Sequence, residues 1–362
     1  MDIKEYKCPN CNGTVGFDSS SQNMKCPYCD AEFEIQALDE YNKELTVQEN
    51  DNFNWDISKA GAQWGGGELE DLSTGSCPSC GAELMGGENT IAMVCPCCGN
   101  AQIVQKRISG MLKPEYCIPF KLEKKAAVDA LNKFCQNKRL LPSFFKKENR
   151  INNIQGMYAP FWLFDAKASA TITFKATKTM GWSDSSYNYT KTDFYSVVRD
   201  GSLDFEKIPV DGSEKLDDAY MDAIEPFDYA QIQDYQSAYL AGYSAEKYDV
   251  DAETSKERAN KRIKQSIETE FAKTVTGYQT VSVEKSFVNV EGKKVSYALM
   301  PIWILNTKYQ NQNYQFIMNG QTGRLVGKLP VDNGKTWKYR LMFMLIGGGI
   351  LTVIFSLLRI FV

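Results

Sequence analysis

Apolar and polar positions change their spacing along the chain, and each spacing predicts a type of element. Apolar residues recur at helical intervals over 123–138, which predicts an amphipathic helix. Residues 168–177 and 193–205 alternate between apolar and polar, as half-buried strands do. A helical pattern follows over 214–273, and strand patterns return from Tyr278 onward. This central region therefore predicts a mixed α+β fold.

The C-terminal segment 341–358 is apolar almost throughout. As a helix it would extend about 27 Å, near the hydrocarbon thickness of a bilayer. Lys335, Lys338 and Arg340 precede it, and such a positive flank predicts that the rest of the chain lies in the cytoplasm. We therefore predict a transmembrane anchor over 339–362 that contacts the lipid bilayer through 341–358. The protein would then be a single-pass protein of the cell membrane, with its N-terminal bulk in the cytoplasm. A buried core helix is the alternative, but such helices rarely stay apolar on every face.

Small residues recur every four positions in this segment, at Gly348, Thr352 and Ser356. A ridge of small residues lets two helices approach closely. We therefore expect self-association of the chain through these three residues.

Residues 159–167 match residues 300–308 position by position in residue type, with a Pro-x-Trp sequence in each. Internal duplication would explain the match. It predicts two related subdomains, 114–210 and 250–330, within an α+β domain over 114–334. Convergence of two strands on a common starting sequence is the alternative.

Cysteine carries the candidate chemistry, since the chain has eleven cysteines and no histidine. Eight cysteines form four Cys-x-x-Cys pairs, and the same interval separates the two pairs of each half. These eight are Cys8, Cys11, Cys26, Cys29, Cys77, Cys80, Cys95 and Cys98. Zinc takes four soft ligands in a tetrahedron, and one Cys-x-x-Cys turn supplies two of them. We therefore predict two structural Zn²⁺ ions per chain, one in each of two zinc ribbons over 4–36 and 74–106. An acidic, Gly-rich linker over 37–73 joins the two ribbons.

The surroundings of the pairs favour structural zinc. Each pair is followed by a residue that tolerates positive φ, namely Asn12, Asp30, Gly81 or Gly99. The N-terminus lacks the apolar stretch of a signal peptide, which predicts a reducing compartment rather than disulfides. Free thiols or redox pairs are the alternative, and four pairs at matched spacing argue against it.

Three cysteines fall outside this pattern. Cys97 occupies a place that Asn10, Tyr28 and Ser79 hold in the other turns, and we predict that it is not a ligand. A ligand exchange between Cys97 and its neighbour Cys98 would spoil the two-residue spacing. Cys117 and Cys135 are predicted to be small core residues.

Composition narrows the classes of function. Without histidine, Ser-His-Asp and Cys-His catalysis are excluded, and a site closed by four thiolates leaves no water to activate. No Gly-rich phosphate loop is present, so we predict that the protein is not an enzyme. The net charge is −4 and neither ribbon is basic, which argues against nucleic acid and favours protein partners.

The aromatic cluster Tyr187, Tyr189, Phe194 and Tyr195 has strand spacing. A ligand groove and cross-strand packing would both use such a cluster. We predict packing, because it is the commoner use of aromatic residues on neighbouring strands.

The paired ribbons, the sequence Pro-Phe-Trp-Leu-Phe-Asp over 160–165, the turn over 319–323 and the apolar C-terminus together resemble a known group. This group is the bacterial membrane proteins labelled TFIIB-type zinc ribbon-containing proteins, whose relatives are also labelled primosomal helicases. The resemblance implies a cytoplasm-facing, zinc-containing membrane protein without established enzymatic activity. It also implies an adaptor in flotillin-like or phage-shock membrane-stress systems. The helicase label does not carry over, since this sequence has no helicase phosphate loop.

The sequence thus predicts a multidomain fold. It consists of two small β zinc ribbons, an α+β region of two related subdomains, and one C-terminal transmembrane helix. The predicted function is a membrane-anchored zinc-ribbon adaptor that binds protein partners on the cytoplasmic face. The alternatives are a membrane-tethered nucleic-acid-binding or transcription-related protein, and an enzyme of the α+β region acting on lipid or envelope precursors.

Overall fold

The computed structural model describes residues 6–10, 13–19, 21–38, 50–65, 68, 72–86, 94–105, 110–142, 153–310 and 312–360. The chain divides into two compact units. Unit 1 comprises Met1–Trp55, Ala166–Phe205 and Asn260–Gly292, and unit 2 comprises Asp56–Asp165, Glu206–Ala259 and Lys293–Val362. The domain bounds expected from the sequence stay a prediction.

Strands make up most of the regular structure in the described residues. They are β1 (Tyr6–Lys7), β2 (Thr14–Asp18), β3 (Asn23–Lys25), β4 (Glu32–Phe33), β5 (Asn52–Asn54), β6 (Ser73–Ser76), β7 (Glu83–Gly86), β8 (Val104–Gln105), β9 (Tyr116–Cys117), β10 (Gln155–Ser183), β11 (Asn188–Asp211), β12 (Gln233–Asp234), β13 (Ser244–Glu246), β14 (Thr280–Tyr309), β15 (Gln312–Asn319) and β16 (Leu325–Gly327). The helices are α1 (Lys124–Cys135), α2 (Asp218–Ala223), α3 (Ala252–Lys273) and α4 (Asn333–Ile360). Short 3-10 turns lie at Tyr229–Gln231 and Ser237–Leu240.

Strands β1 to β4 form a small antiparallel sheet in unit 1. Its core contains Val15, Met24 and Leu38 together with two cysteines, Cys8 and Cys26. So few apolar side chains give a small sheet little stability of its own.

The larger sheet has the strand order β12-β9-β14-β10-β13-β7-β6-β8. Strand β11 pairs with β10, β15 pairs with β14 and β16, and β5 pairs with β14. The second ribbon is therefore not a separate sheet, contrary to the sequence-based prediction. Its strand β7 pairs with β13, since Met85 lies opposite Ala245, and this pairing satisfies backbone groups that an isolated ribbon would leave at an edge.

Side chains on the two faces of the larger sheet build two cores in unit 2. Phe161 and Ile302 face one core, which also holds Met221 of α2. Trp303 faces the other core, where it packs with Leu131 of α1. Alternating directions along β14 thus supply both cores, as the pleat of a strand requires.

The two matching Pro-x-Trp segments, 159–167 and 300–308, lie in the neighbouring strands β10 and β14 of one sheet. Each tryptophan donates its indole N–H to a backbone carbonyl, Trp162 to Val250 (2.9 Å) and Trp303 to Leu122 (3.1 Å). The segments therefore do not begin two separate sheets, and each buries a tryptophan whose N–H is bonded. The internal duplication expected from the sequence stays a prediction.

The predicted helix over 123–138 is confirmed as α1, and the strand patterns over 168–177 and 193–205 fall within β10 and β11. The prediction of a helical region over 214–273 was too coarse. Two helices, α2 and α3, lie in that range, and two short strands and two 3-10 turns separate them.

The transmembrane helix is the main correction to the predicted fold class. In the described part of the chain, no helix combines the length and the apolar character needed to cross a membrane. Helix α4 carries Lys335, Lys338 and Arg340 in its first turns, before its apolar run begins at Leu341. The predicted anchor over 339–362 and the predicted single-pass, cytoplasm-facing membrane protein are therefore wrong. The predicted lipid bilayer contact through 341–358 depended on that span.

The expected ridge of small residues lies on α4. Gly348 and Thr352 are exposed, and the Ser356 side chain is outside the described residues. Self-association through this ridge stays a prediction.

An ion-pair network joins β11 to α3 and α2 within unit 2. Arg258 contacts buried Asp211 (2.7 Å) and also Asp218 (3.0 Å) and Asp222 (2.8 Å). Burial raises the pKa of the Asp211 carboxyl to about 6, and the Arg258 guanidinium opposes this rise. The folded protein therefore holds a proton on Asp211 more tightly than the unfolded chain does.

We predict that this carboxyl makes stability depend on pH. A raised folded-state pKa means that its contribution to the free energy of unfolding falls as pH rises through about 6. The difference between wild type and Asp211→Asn should thus decrease by about 1 kcal/mol from pH 5 to pH 7.5. Urea denaturation of both proteins at the two pH values measures this difference.

Gln233→Ala, an exposed substitution that changes no ionisable group, is the control, and its difference in stability from the wild type should not change with pH. If the difference in the free energy of unfolding between wild type and Asp211→Asn is also the same at both pH values, the raised pKa assigned to Asp211 is contradicted.

Candidate metal centres

One backbone hydrogen bond recurs at the first cysteine of all four predicted pairs. In each turn the N–H of the first cysteine donates to the carbonyl five residues later. These bonds join Cys8 to Gly13 (2.8 Å), Cys26 to Ala31 (2.9 Å), Cys77 to Ala82 (2.9 Å) and Cys95 to Asn100 (2.7 Å). Such a turn directs both thiols of a pair toward one point, as a zinc knuckle requires.

Positive φ occurs where the sequence predicts it. Asp30 has φ of 56°, Gly81 of 77° and Gly99 of 76°. At Gly81 and Gly99 a side chain would meet the steric cost of the left-handed region, which glycine avoids. Asn12 lies outside the described residues.

The second cluster brings Cys77, Cys80, Cys95 and Cys98 together, with all four sulfur atoms within 4.8 Å of one another. The Sγ atoms of Cys77 and Cys98 are 3.7 Å apart, as are those of Cys80 and Cys95. Cys77 and Cys95 are buried and belong to the same core as Phe161. This cluster is thus part of the hydrophobic interior of unit 2.

The first cluster brings together Cys8, Cys26 and Cys29 at the small sheet of unit 1. The Sγ atoms of Cys8 and Cys29 are 3.6 Å apart. Cys8 and Cys26 are buried, whereas Cys29 is exposed. Cys11, the fourth predicted ligand, lies outside the described residues.

These sulfur separations fit zinc and not disulfides. Four sulfur atoms at about 2.3 Å from a tetrahedral zinc ion lie about 3.8 Å from one another. A disulfide would instead bring two sulfur atoms to about 2.05 Å. Two clusters of soft thiol donors at 3.6–3.7 Å can therefore each hold a zinc ion. The individual ligand assignments, including Cys11, stay a prediction.

Cys97 lies behind the second cluster and supports it through a hydrogen bond. Its thiol donates to the sulfur of Cys95, and this bond is the main reason that the pKa of Cys95 is lowered to about 5. The pKa of Cys97 itself is raised well above its ordinary value, because the thiol gives up that bond on ionising and because it is buried. A protonated donor beside a thiolate is the arrangement expected of a residue that orients a ligand without binding the metal.

Glu246 of β13 is a buried carboxyl beside Cys97, and no sequence pattern singles it out. Burial raises the pKa of Glu246 to about 8, and Ser213 and Cys97 oppose this rise. A carboxyl that is largely protonated near neutral pH adds little negative charge next to a thiolate cluster. Glu246 lies near the second cluster because β13 pairs with β7 of the second ribbon.

Two amide side chains hold the turn of the second cluster from β14 and β15. Asn306 donates to the carbonyl of Pro96, and Gln315 donates to the carbonyl of Cys97 (3.4 Å) and to Oδ1 of Asn306 (3.2 Å). Residues more than 200 positions away in the chain thus fix the backbone of this turn. Sequence spacing alone could not identify them.

The remaining cysteines are placed as predicted for core residues. Cys117 lies in β9, where burial raises the pKa of its thiol to about 12. Cys135 ends α1 and packs in the core with Leu131. Neither belongs to a metal-binding group among the described residues.

The aromatic cluster of unit 1 shows the predicted cross-strand contact only in part. Tyr189 of β11 stacks on Trp182 of β10, with ring centroids 5.5 Å apart. Tyr187, Phe194 and Tyr195 nevertheless remain exposed. The cluster is therefore a surface feature and not a buried layer.

We predict different outcomes for two neighbouring cysteines of the second cluster. Cys98→Ser removes one of four sulfur atoms and should lower the zinc content from two ions to about one per chain. Cys97→Ser keeps a hydrogen-bond donor beside Cys95 and should leave the content near two. Metal analysis of the purified variants measures this, and an equal loss in both would make Cys97 a ligand.

We also predict that Asn306→Ala weakens zinc retention at the second cluster about 10- to 100-fold, because the cysteine turn loses the hydrogen bond to its Pro96 carbonyl. Zinc release to a chromogenic chelator reports the retention of both sites. Asn313→Ala, an exposed substitution on the same hairpin, is the matched control. Release at the wild-type rate from Asn306→Ala would show that the amide does not stabilise the site.

Comparison with known proteins gives a relationship over nearly the whole chain. The chain is 34% identical over 333 residues to YdjG of Bacillus subtilis (strain 168), which is described as an uncharacterized protein. The aligned region covers 92% of this chain and 92% of YdjG. No family model matches the chain, and no solved structure matches it. Identity at this level over this length shows common descent, and the chain therefore belongs to the family of the Bacillus subtilis protein YdjG.

Proposed function

We propose that this protein is a non-enzymatic zinc-ribbon adaptor that binds other proteins, and that its first ribbon carries the binding surface. The ribbon resembles those of TFIIB-type zinc ribbon-containing proteins in its paired Cys-x-x-Cys turns. Association with flotillin-like or membrane-stress assemblies, which that resemblance implies, stays a prediction.

Exposed apolar side chains on the first ribbon are the observation that carries the proposal. Phe17 is 55% exposed, Tyr28 75% and Ile35 47%. Large apolar side chains on so small a sheet are unusual unless a partner covers them, and aromatic residues are enriched at protein interfaces. Tyr28 lies inside the second cysteine turn, so the metal site would hold this side chain in place.

The same ribbon also carries paired charges. Lys25 contacts Asp30 (3.9 Å) and Glu32 (3.6 Å) at the surface of the ribbon. Protein–protein contacts usually combine apolar side chains with polar and charged ones. The carboxylates beside Lys25 also disfavour the alternative of nucleic-acid binding, since phosphate affinity depends on unpaired positive charge.

Zinc would act here by folding the ribbon. The small sheet buries few apolar side chains, and metal binding can supply the missing folding free energy. A set of thiolates that fills the coordination sphere leaves no open position for a substrate or water. This chemistry supports a structural use of the metal and a non-enzymatic function.

We predict that the double substitution Phe17→Ser and Tyr28→Ser lowers recovery of bound proteins at least tenfold, because aromatic anchors dominate contact energy. The substitutions leave the cysteines unchanged, so the zinc content should stay at two per chain. Affinity purification with quantitative mass spectrometry measures the recovery.

The matched control is Tyr187→Ser with Phe194→Ser, which removes two exposed aromatic side chains of unit 1 outside the ribbon. Its partners should be those of the wild type. An unchanged partner set for the ribbon variant would refute a binding function of this surface.

A further inference from the structure

A polar cavity of about 980 Å³ lies within unit 2, against the turn formed by Cys97, Cys98 and Gly99 of the second cluster. Its volume falls at the upper end of the range of small-molecule sites. The proposed adaptor function uses the first ribbon and leaves this cavity unassigned.

Positive charge predominates in the cavity lining. Lys215, Lys308 and Lys328 line it, and Asp217 is the acidic residue among its described lining residues. The Asp217 carboxylate is engaged at the start of α2, where it accepts the N–H of Tyr220 (3.1 Å). The cavity therefore presents a net positive surface to a ligand.

The three lysines differ in whether their ammonium groups are paired with a carboxylate. Lys215 pairs with Asp249, and contact with this carboxylate raises the pKa of its ammonium group despite partial burial. Lys308 and Lys328 are exposed, and among the described residues neither has an ion-pair partner. Two uncommitted ammonium groups at one cavity are suited to a multiply charged anion.

Neutral donors supplement this charge. Asn313 lines the cavity beside Gln312, whose Oε1 accepts the hydroxyl of Tyr314 (3.0 Å). Asn306 and Gln315 also line it, but their amides hold the cysteine turn. The same two residues therefore connect the cavity wall to the second cluster.

We propose that this cavity binds a phosphorylated small molecule of nucleotide size. Lysine acts as a point charge toward phosphate, whereas planar carboxylate recognition favours arginine, which is missing from the described lining. Amide side chains provide further donors to phosphate oxygens. Tyr220 and Tyr314 add aromatic surface that an uncharged ring of the ligand can contact.

Isothermal titration of the full-length, zinc-loaded chain at low salt tests the proposal. The probes are adenosine diphosphate, inorganic pyrophosphate and uncharged adenosine. Both phosphorylated probes should bind with millimolar or tighter affinity, and adenosine should bind at least tenfold more weakly. Zinc content is measured after each titration, because phosphates chelate zinc.

Substitutions locate the binding. Lys308→Gln with Lys328→Gln should weaken the binding of both phosphorylated probes at least tenfold, and Asn313→Asp should weaken it by placing a negative charge in the cavity. Lys261→Gln, at an exposed lysine of α3 outside the cavity, is the control and should bind as the wild type does.

Three results would overturn the proposal. They are no binding of either phosphorylated probe, equal binding of adenosine, and unchanged affinity in all the cavity variants. If the double lysine variant instead loses zinc while no probe binds the wild type, the lysines serve only to balance the thiolate charge. None of these results bears on the first ribbon, so the adaptor function is tested separately.

Discussion

The close approach of four sulfur atoms in the interior of unit 2 is the constraint on which much of this structure depends. Cys77 and Cys95 are buried in the same core as Phe161 and Ile302. Buried thiolates at 3.7 Å repel one another unless a cation neutralises them. Metal binding and core packing are therefore coupled, and loss of the ion would disturb side chains well beyond the ribbon.

Both clusters bring cysteine sulfur atoms close enough to hold a zinc ion, but their surroundings differ. The second is held from several directions, through β7 pairing with β13 and through the amides of Asn306 and Gln315. The first lies on a four-stranded sheet with a small core and an exposed cysteine, Cys29. A small metal-dependent sheet can present apolar side chains at its surface, whereas a cluster built into a larger sheet contributes to the scaffold.

This difference suggests that the first ribbon and the second cluster have different functions. The first ribbon has the exposed aromatic side chains expected of a partner-binding surface. The second cluster forms one wall of a lysine-lined cavity, and Asn306 and Gln315 belong to both. Metal binding at the second cluster and ligand binding in the cavity would thus act on the same turn, which gives a physical route for coupling between them.

The sequence by itself determined the metal-binding residue type and the positive φ of Asp30, Gly81 and Gly99, because each depends on neighbours a few residues apart. It also predicted α1 and the long strands, whose periodicity is local. Tertiary structure decided that the second ribbon joins the large sheet and that the two Pro-x-Trp segments are adjacent strands. It also decided that Glu246 lies beside Cys97 and that Asn306 bonds to the cysteine turn. These features depend on strand pairing between distant parts of the chain, which a local pattern does not encode. The C-terminal segment shows the same limit, since an apolar run predicted a membrane span and the described helix does not meet the requirement for one.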